Sequence, residues 1–143
     1  MANRFSSIVL VDARGWLLLQ ERDEFPVIDP EKWGFVGGHL DDGEDFEPGA
    51  YRELEEETGL DLDGGLELFS PFHVFHEHSG TLDEFRLFVM RTDLTDADID
   101  CREGRQIVFV DPAHALDLDL TAAARVALPV FLASPAYAAM AGS

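Results

Sequence analysis

Residues 38–60, GHLDDGEDFEPGAYRELEEETGL, end in a helix-compatible run that crowds Glu53, Glu55, Glu56 and Glu57 ahead of Gly59. Pro48 suits a first helical turn, Ala50, Tyr51 and Leu54 supply an apolar face, and Gly59 suits the left-handed residue that stops a helix. The segment therefore predicts a helix over residues 47–58. At about 100° of turn per residue, Glu53, Glu56 and Glu57 share an arc of roughly 100° while Glu55 points away. Like charges three and four residues apart destabilise a helix by about 0.2–0.5 kcal/mol per pair, and they raise each other's pKa. No lysine is interleaved to relieve them. Such a face is either plain solvated surface or the binding face for a divalent cation.

The flanking residues separate these readings. Gly38, Glu44, Arg52, Glu53, Leu54, Glu56, Glu57, Gly59 and Leu60 meet the pattern G-x5-E-x7-R-E-U-x-E-E-x-G-U, where U is aliphatic. A solvated acidic face requires none of those glycine, arginine and aliphatic offsets. The pattern resembles the Nudix box, complete at every defining position. The resemblance implies a Nudix-type α/β/α sandwich with a central mixed β-sheet. It also implies hydrolysis of a nucleoside diphosphate linked to a further group, with Mg2+ or Mn2+ as cofactor. Only the box is specific, although the order of elements along most of the chain agrees.

Those elements can be read independently. Residues 5–11 and 16–22 are β-rich runs around the turn Asp12-Ala13-Arg14-Gly15, a hairpin signal. Residues 25–33 carry two prolines and read as a loop. Residues 66–75 and 82–91 form a second predicted hairpin about His76-Glu77-His78-Ser79-Gly80. An acidic loop over 93–104 precedes a short strand at 107–110. After Asp111-Pro112 comes a helix-like 113–116. A further helix spans 121–132, with Thr121 as N-cap, Val126, Val130 and Leu132 among its apolar positions, and Pro129 liable to kink it. Residues 136–143 are small and expected to fray. Strands, a central helix, more strands and a terminal helix make an α/β sandwich in one domain over residues 1–143, with no repeat.

Net charge narrows the partners. The chain of 143 residues carries 29 acidic and 10 basic side chains, a formal charge of −19. That disfavours a nucleic-acid polymer or an anionic membrane, and it suits a small anionic nucleotide substrate only where metal ions neutralise the site. Cys101, the single cysteine, allows no internal disulfide and points to a reducing compartment. It is read as a plain thiol. Asp12, Arg14 and Gly15 interrupt the N-terminal apolar run, so it reads as a strand rather than a signal sequence, and a cytoplasmic location is expected. A homodimer is left open by analogy with related folds.

Site residues follow from the match. The resemblance implies Glu53, Glu56 and Glu57 as metal ligands, with the Gly38 carbonyl near the ion and Glu53 able to double as general base. Magnesium commonly binds through one or two carboxylates plus substrate phosphates, which this face allows. Arg52 is expected to hold the carboxylates in place and to pair with Glu44, while Leu54 and Leu60 are core. A base from elsewhere in the chain would be Glu103, at the end of the acidic loop, or Glu84; solvated surface is the alternative for both. Arg22 is a candidate for a substrate phosphate, Trp33 or Phe35 for stacking on a base or sugar, and His39 for facing the substrate. Val36 stands where proline is frequent in the family. His73, His76 and His78 read as exposed or phosphate-facing residues of a hairpin rather than a metal cluster, with His76 and His78 on one face.

Two substrate classes stay open: a nucleoside diphosphate derivative such as a nucleotide sugar or ADP-ribose, or a nucleoside triphosphate, oxidised ones included, cleaved to the monophosphate. A non-catalytic nucleotide-sensing module is the alternative from another class, against which the intact glutamate set weighs. The scarcity of basic residues disfavours mRNA decapping.

Overall fold

The strand β1 (Arg4–Val11) is buried on both faces from Ser6 onward, as expected of a central strand, and the remaining sheet is arranged around it. On one side it runs parallel to β6 (Thr81–Arg91), from Arg4↔Glu84 to Val11↔Arg91. On the other its first half pairs antiparallel with β4 (Val36–His39), and its end meets β2 (Leu17–Glu21) at Val11↔Leu17. β2 also pairs with β3 (Trp33–Gly34) and β7 (Gln106–Val110), while β5 (Glu67–His76) forms the opposite edge against β6. The sheet is therefore mixed. The computed structural model describes residues 2–26 and 28–142.

Helices cover both faces. α1 (Phe46–Thr58) packs Phe46, Ala50 and Leu54 on Ile8, Leu10, Leu18, Val36, Phe88 and Phe109. α3 (Ala122–Leu132) places Ala124, Ala127, Leu128 and Phe131 on Val9, Val11, Leu19, Val74, Phe85 and Leu87. Two apolar cores separated by the sheet make the expected α/β/α sandwich. Gly59 closes α1 with φ 79° and its N–H on the Glu55 carbonyl.

Several expectations change. Val126 and Val130 face solvent, because the α3 face that meets the sheet is lined by alanines that let the helix approach closely. Pro129 lies inside α3, which continues to Leu132. The expected frayed tail is instead α4 (Pro135–Ala141), capped by Ser134 and tied down by the Tyr137 hydroxyl, which donates to the Gly15 carbonyl at 2.6 Å. Ser143 lies outside the described residues. The short α2 (Pro112–Ala115) is capped by Asp111, and the acidic loop holds one 3-10 turn at Asp96–Asp98. Among the described residues no single helix is long and apolar enough to cross a membrane.

Candidate active site

The acidic helix face meets the sheet through two glycines. At Gly37, φ is +144° and a Cβ would run into the Ser6 carbonyl oxygen; at Gly38, a Cβ would sit 2.9 Å from Oε2 of Glu53. Only glycines let β4 pass between β1 and the glutamates. The Gly37 N–H then donates to Oε1 of Glu57 at 3.2 Å, and Nε2 of Gln20 reaches the same oxygen at 3.3 Å. Gln20 also donates to the Glu103 carbonyl at 3.0 Å.

The loop carrying Glu103 is stitched down on both sides. Arg102 N–H donates to the Glu57 carbonyl at 2.9 Å, and Arg105 N–H to the Glu21 carbonyl at 2.8 Å. This sets the Glu103 carboxyl beside that of Glu57. Burial pushes Glu57 up to about 9, and the hydrogen bond with Glu103 and its charge add to the rise. Glu53 is also pushed up, first by burial, although Arg52 opposes the shift. Glu56 remains largely exposed, and Glu55 faces solvent.

Arg52 organises the outer rim. Its Nη2 and Nε donate to the two carboxylate oxygens of Glu44 at 2.7 and 2.8 Å. Nη1 reaches Glu53 at 3.0 Å and Glu56 at 3.1 Å, and Nη2 also donates to the His39 carbonyl. The expected Arg52–Glu44 pair is present, and it holds Glu44 well down, to about 2.

These groups close one end of a cavity of about 430 Å³. Glu53, Glu56, Glu57, Glu103, Gly37 and Gly38 line that end. Phe5, Phe35, Val74 and Phe85 form an apolar wall, and Arg22, Asp29, His39 and His76 add polar groups. Of the residues singled out from sequence, Arg22, Phe35, His39 and Glu103 thus join the glutamates. Trp33 does not. It pairs with Glu21, bridges to Leu120 and packs on the α3-side core without lining the cavity. Glu84 is spent on Arg86 at 3.0 Å and does not line the cavity. His76 is buried rather than sharing an exposed face with His78, since Asp83 draws its ring inward. Gln20, Phe5 and Asp29 were not foreseen. A glutamine directly after the apolar run Leu17-Leu18-Leu19 was the one available signal for Gln20.

The donor set can be tested against a divalent cation. Among the described residues no three acidic, histidine or cysteine side chains stand close enough to enclose an ion by themselves. Magnesium does not require that, since it keeps waters and takes phosphate oxygens. Crowded carboxylates that raise one another's pKa are the chemistry a cation relieves. The residues present therefore fit such an ion.

The chain belongs to the Nudix family: the family model described as NUDIX domain matches residues 3–131. Nudix hydrolases generally use divalent metal ions. The chain is 36% identical over 72 residues to an 8-oxo-dGTP diphosphatase from Proteus vulgaris, covering 50% of this chain and 64% of that protein. It is 42% identical over 52 residues to an RNA pyrophosphohydrolase from Rhodospirillum rubrum, covering 36% of this chain and 29% of that one. The chain thus spans less than two-thirds of the length of these curated relatives. In structure it resembles the NUDIX domain of Shewanella oneidensis NrtR complexed with ADP ribose, with a TM-score of 0.72 over 90% of this chain and 84% of the other. At 16% identity that likeness is one of fold.

Proposed function

We propose that this protein hydrolyses a phosphoanhydride bond in a nucleoside diphosphate joined to a further group, such as a nucleotide sugar or ADP-ribose. The observation that carries the substrate class is the charge of the cavity. Arg22 is the only lysine or arginine among its lining residues. Arg52 is saturated by Glu44, Glu53 and Glu56. A pyrophosphate diester brings about two negative charges, whereas a triphosphate brings about four that one arginine and an acidic rim match less well.

Glu53, Glu56 and Glu57, with the Gly38 carbonyl, would hold Mg2+ or Mn2+. When bound, the ion would neutralise phosphate charge and acidify water. Glu103 would accept a proton from an attacking water, a role supported by the pinning of its loop beside Glu57. Arg52 keeps Glu53 and Glu56 aligned by charge-assisted hydrogen bonds. Arg22, the one arginine or lysine lining the cavity, supplies a donor to the phosphate. Phe5, Phe35 and Phe85 exclude water and offer ring surface to a base or sugar.

Nucleoside triphosphate pyrophosphohydrolysis is the second reading, favoured by the similarity to the Proteus vulgaris 8-oxo-dGTP diphosphatase. A panel of nucleotide sugars, ADP-ribose, dinucleoside polyphosphates and ordinary and oxidised nucleoside triphosphates, with Mg2+ or Mn2+, decides between them. Preferred turnover of the triphosphates would replace the first reading with the second. No turnover of any member would leave the nucleotide-sensing alternative.

A further inference from the structure

One buried titratable pair in the cavity wall takes no part in the chemistry above. Nδ1 of His76 lies 2.6 Å from Oδ2 of Asp83. Asp83 is 0% exposed, and its other oxygen accepts the backbone N–H of Asn3 and the hydroxyl of Thr81, each at 2.7 Å. Burial by itself would push this carboxyl up. The hydrogen bonds from Asn3, His76 and Thr81 outweigh it and bring Asp83 down to about 2.

An ionised carboxylate only accepts, so the proton of the pair sits on Nδ1 of His76. In the neutral ring this leaves Nε2 as a lone-pair acceptor. Nε2 makes no hydrogen bond to the described residues, yet it is not among the polar atoms sealed from solvent. His76 lines both the main cavity and an adjoining groove, and so stands where the two meet. Its ring is wedged edge-on against Phe5, with centroids 5.5 Å apart. It is thus fixed in orientation, fixed in tautomer and open at one nitrogen.

We propose that His76, oriented by Asp83, is a specificity-determining residue that accepts a hydrogen bond through Nε2 from a donor on the nucleoside part of the substrate. This rests on the nucleotide reading above. The complement of a lone-pair acceptor is a hydroxyl or an amine; ionised phosphate oxygens carry no hydrogen to give, and they belong with Arg22 and the glutamates. The donor is a ribose hydroxyl or an exocyclic base amine. Asp83 acts through His76 as a positioning residue.

Binding of unreactive nucleotides tests this without catalysis. AMP and GMP would be titrated calorimetrically against the full chain, each beside its 2′-deoxy and 3′-deoxy forms, and beside IMP, which lacks the amine of either. The wild type should bind one of these analogues about tenfold more weakly than its parent. A deoxy analogue identifies a hydroxyl as the donor, and IMP identifies the amine. Two variants separate reading from scaffolding. In His76→Asn the amide nitrogen replaces Nδ1, so the Asp83 bond and the melting temperature should persist while the discrimination disappears. In His76→Gln the amide takes the place of Nε2, so part of the discrimination should survive despite a weaker fold. Equal wild-type binding of parents and analogues overturns the inference, as does full discrimination in His76→Asn. If the parents bind without discrimination, only this inference falls. If no nucleotide binds, the nucleotide reading falls and takes it along.

Discussion

Replacing Arg52 by lysine isolates the contribution of its planar fork, because the charge is kept and the paired geometry is lost. In the structure the guanidinium meets Glu44 with two parallel bonds of 2.7 and 2.8 Å and spans to Glu53 and Glu56. The hydrogen bonds from Arg52 are the largest cause that lowers Glu44 from 4.5 to about 2. A depressed carboxylate contributes stability that is fully present above 4.5 and is lost as the pH falls through about 2. Unscreened, that displacement corresponds to about 3 kcal/mol. Glu44 stands at the solvent edge of the site, so about 1–2 kcal/mol is the expected contribution once screening is included. Urea unfolding at a series of pH values from 7 to 2.5 measures it. Arg52→Lys should be less stable than the wild type by about 1–2 kcal/mol at pH 7, and the gap should narrow as the pH drops below 4.5. In parallel, the Mg2+ concentration giving half-maximal hydrolysis should rise about 10–100-fold, the range for groups that orient metal ligands. A stability gap that stays constant down to pH 2.5 would refute the ion-pair account. An unchanged metal requirement would remove Arg52 from the organisation of the site.

Other substitutions probe the remaining parts. In Glu57→Gln the amide oxygen can still accept from Gly37 and Gln20, so the protein should fold while metal-dependent hydrolysis falls at least about a hundredfold; near-normal turnover of the purified variant would sink the ligand assignment. Arg22→Ala removes a buried, unpartnered Nε, so the melting temperature should hold while KM rises about ten- to hundredfold, and an unchanged KM would take Arg22 out of substrate binding. Gly37→Ala meets both a positive φ and the Ser6 carbonyl, and calorimetry should show a loss of about 2 kcal/mol or more. Leu54→Ala opens space in the core under α1 and should lose about 2–5 kcal/mol by urea unfolding.

How far the chain could be read without coordinates depends on the range over which each residue acts. The α1 face, its Gly59 stop and the Arg52–Glu44 pair were legible because their partners lie within a few turns of one helix and the loop before it. The second hairpin was legible from its β-rich runs and turn residues, whereas the first holds only at its turn, because β1 and β2 pair at Val11↔Leu17 and then diverge to β4 and β7. Glu103 was legible only as one of two candidates. What brings it rather than Glu84 to the cavity is the pinning of its loop to Glu57 and Glu21, contacts that span far more sequence than any local pattern. Trp33 and Phe35 looked equivalent as neighbouring aromatics, and both pack into the α3-side core, yet only Phe35 also lines the cavity. His76 was misread because its exposure is set by Asp83 on the neighbouring strand. Alternation along β5 alone does not register that carboxylate.

The acidic excess that looked like a bulk property of the sequence acts most clearly at individual arginines. With 29 acidic against 10 basic side chains, almost any exposed cation finds a carboxylate, and Arg14, Lys32, Arg52, Arg86, Arg91, Arg102 and Arg105 all do. Among the described residues only Arg4, Arg22 and Arg125 have no ion pair. Arg4 lies over the Phe46 ring at 5.4 Å. Arg22 lines the main cavity and Arg125 the adjoining groove. In such a chain a cation left without a carboxylate is the exception, and two of the three exceptions line cavities that share Ile28, Asp29 and His76. The acidic excess thus leaves few cations without a carboxylate, and of these Arg22 alone lines the cavity together with Glu53, Glu56, Glu57 and Glu103.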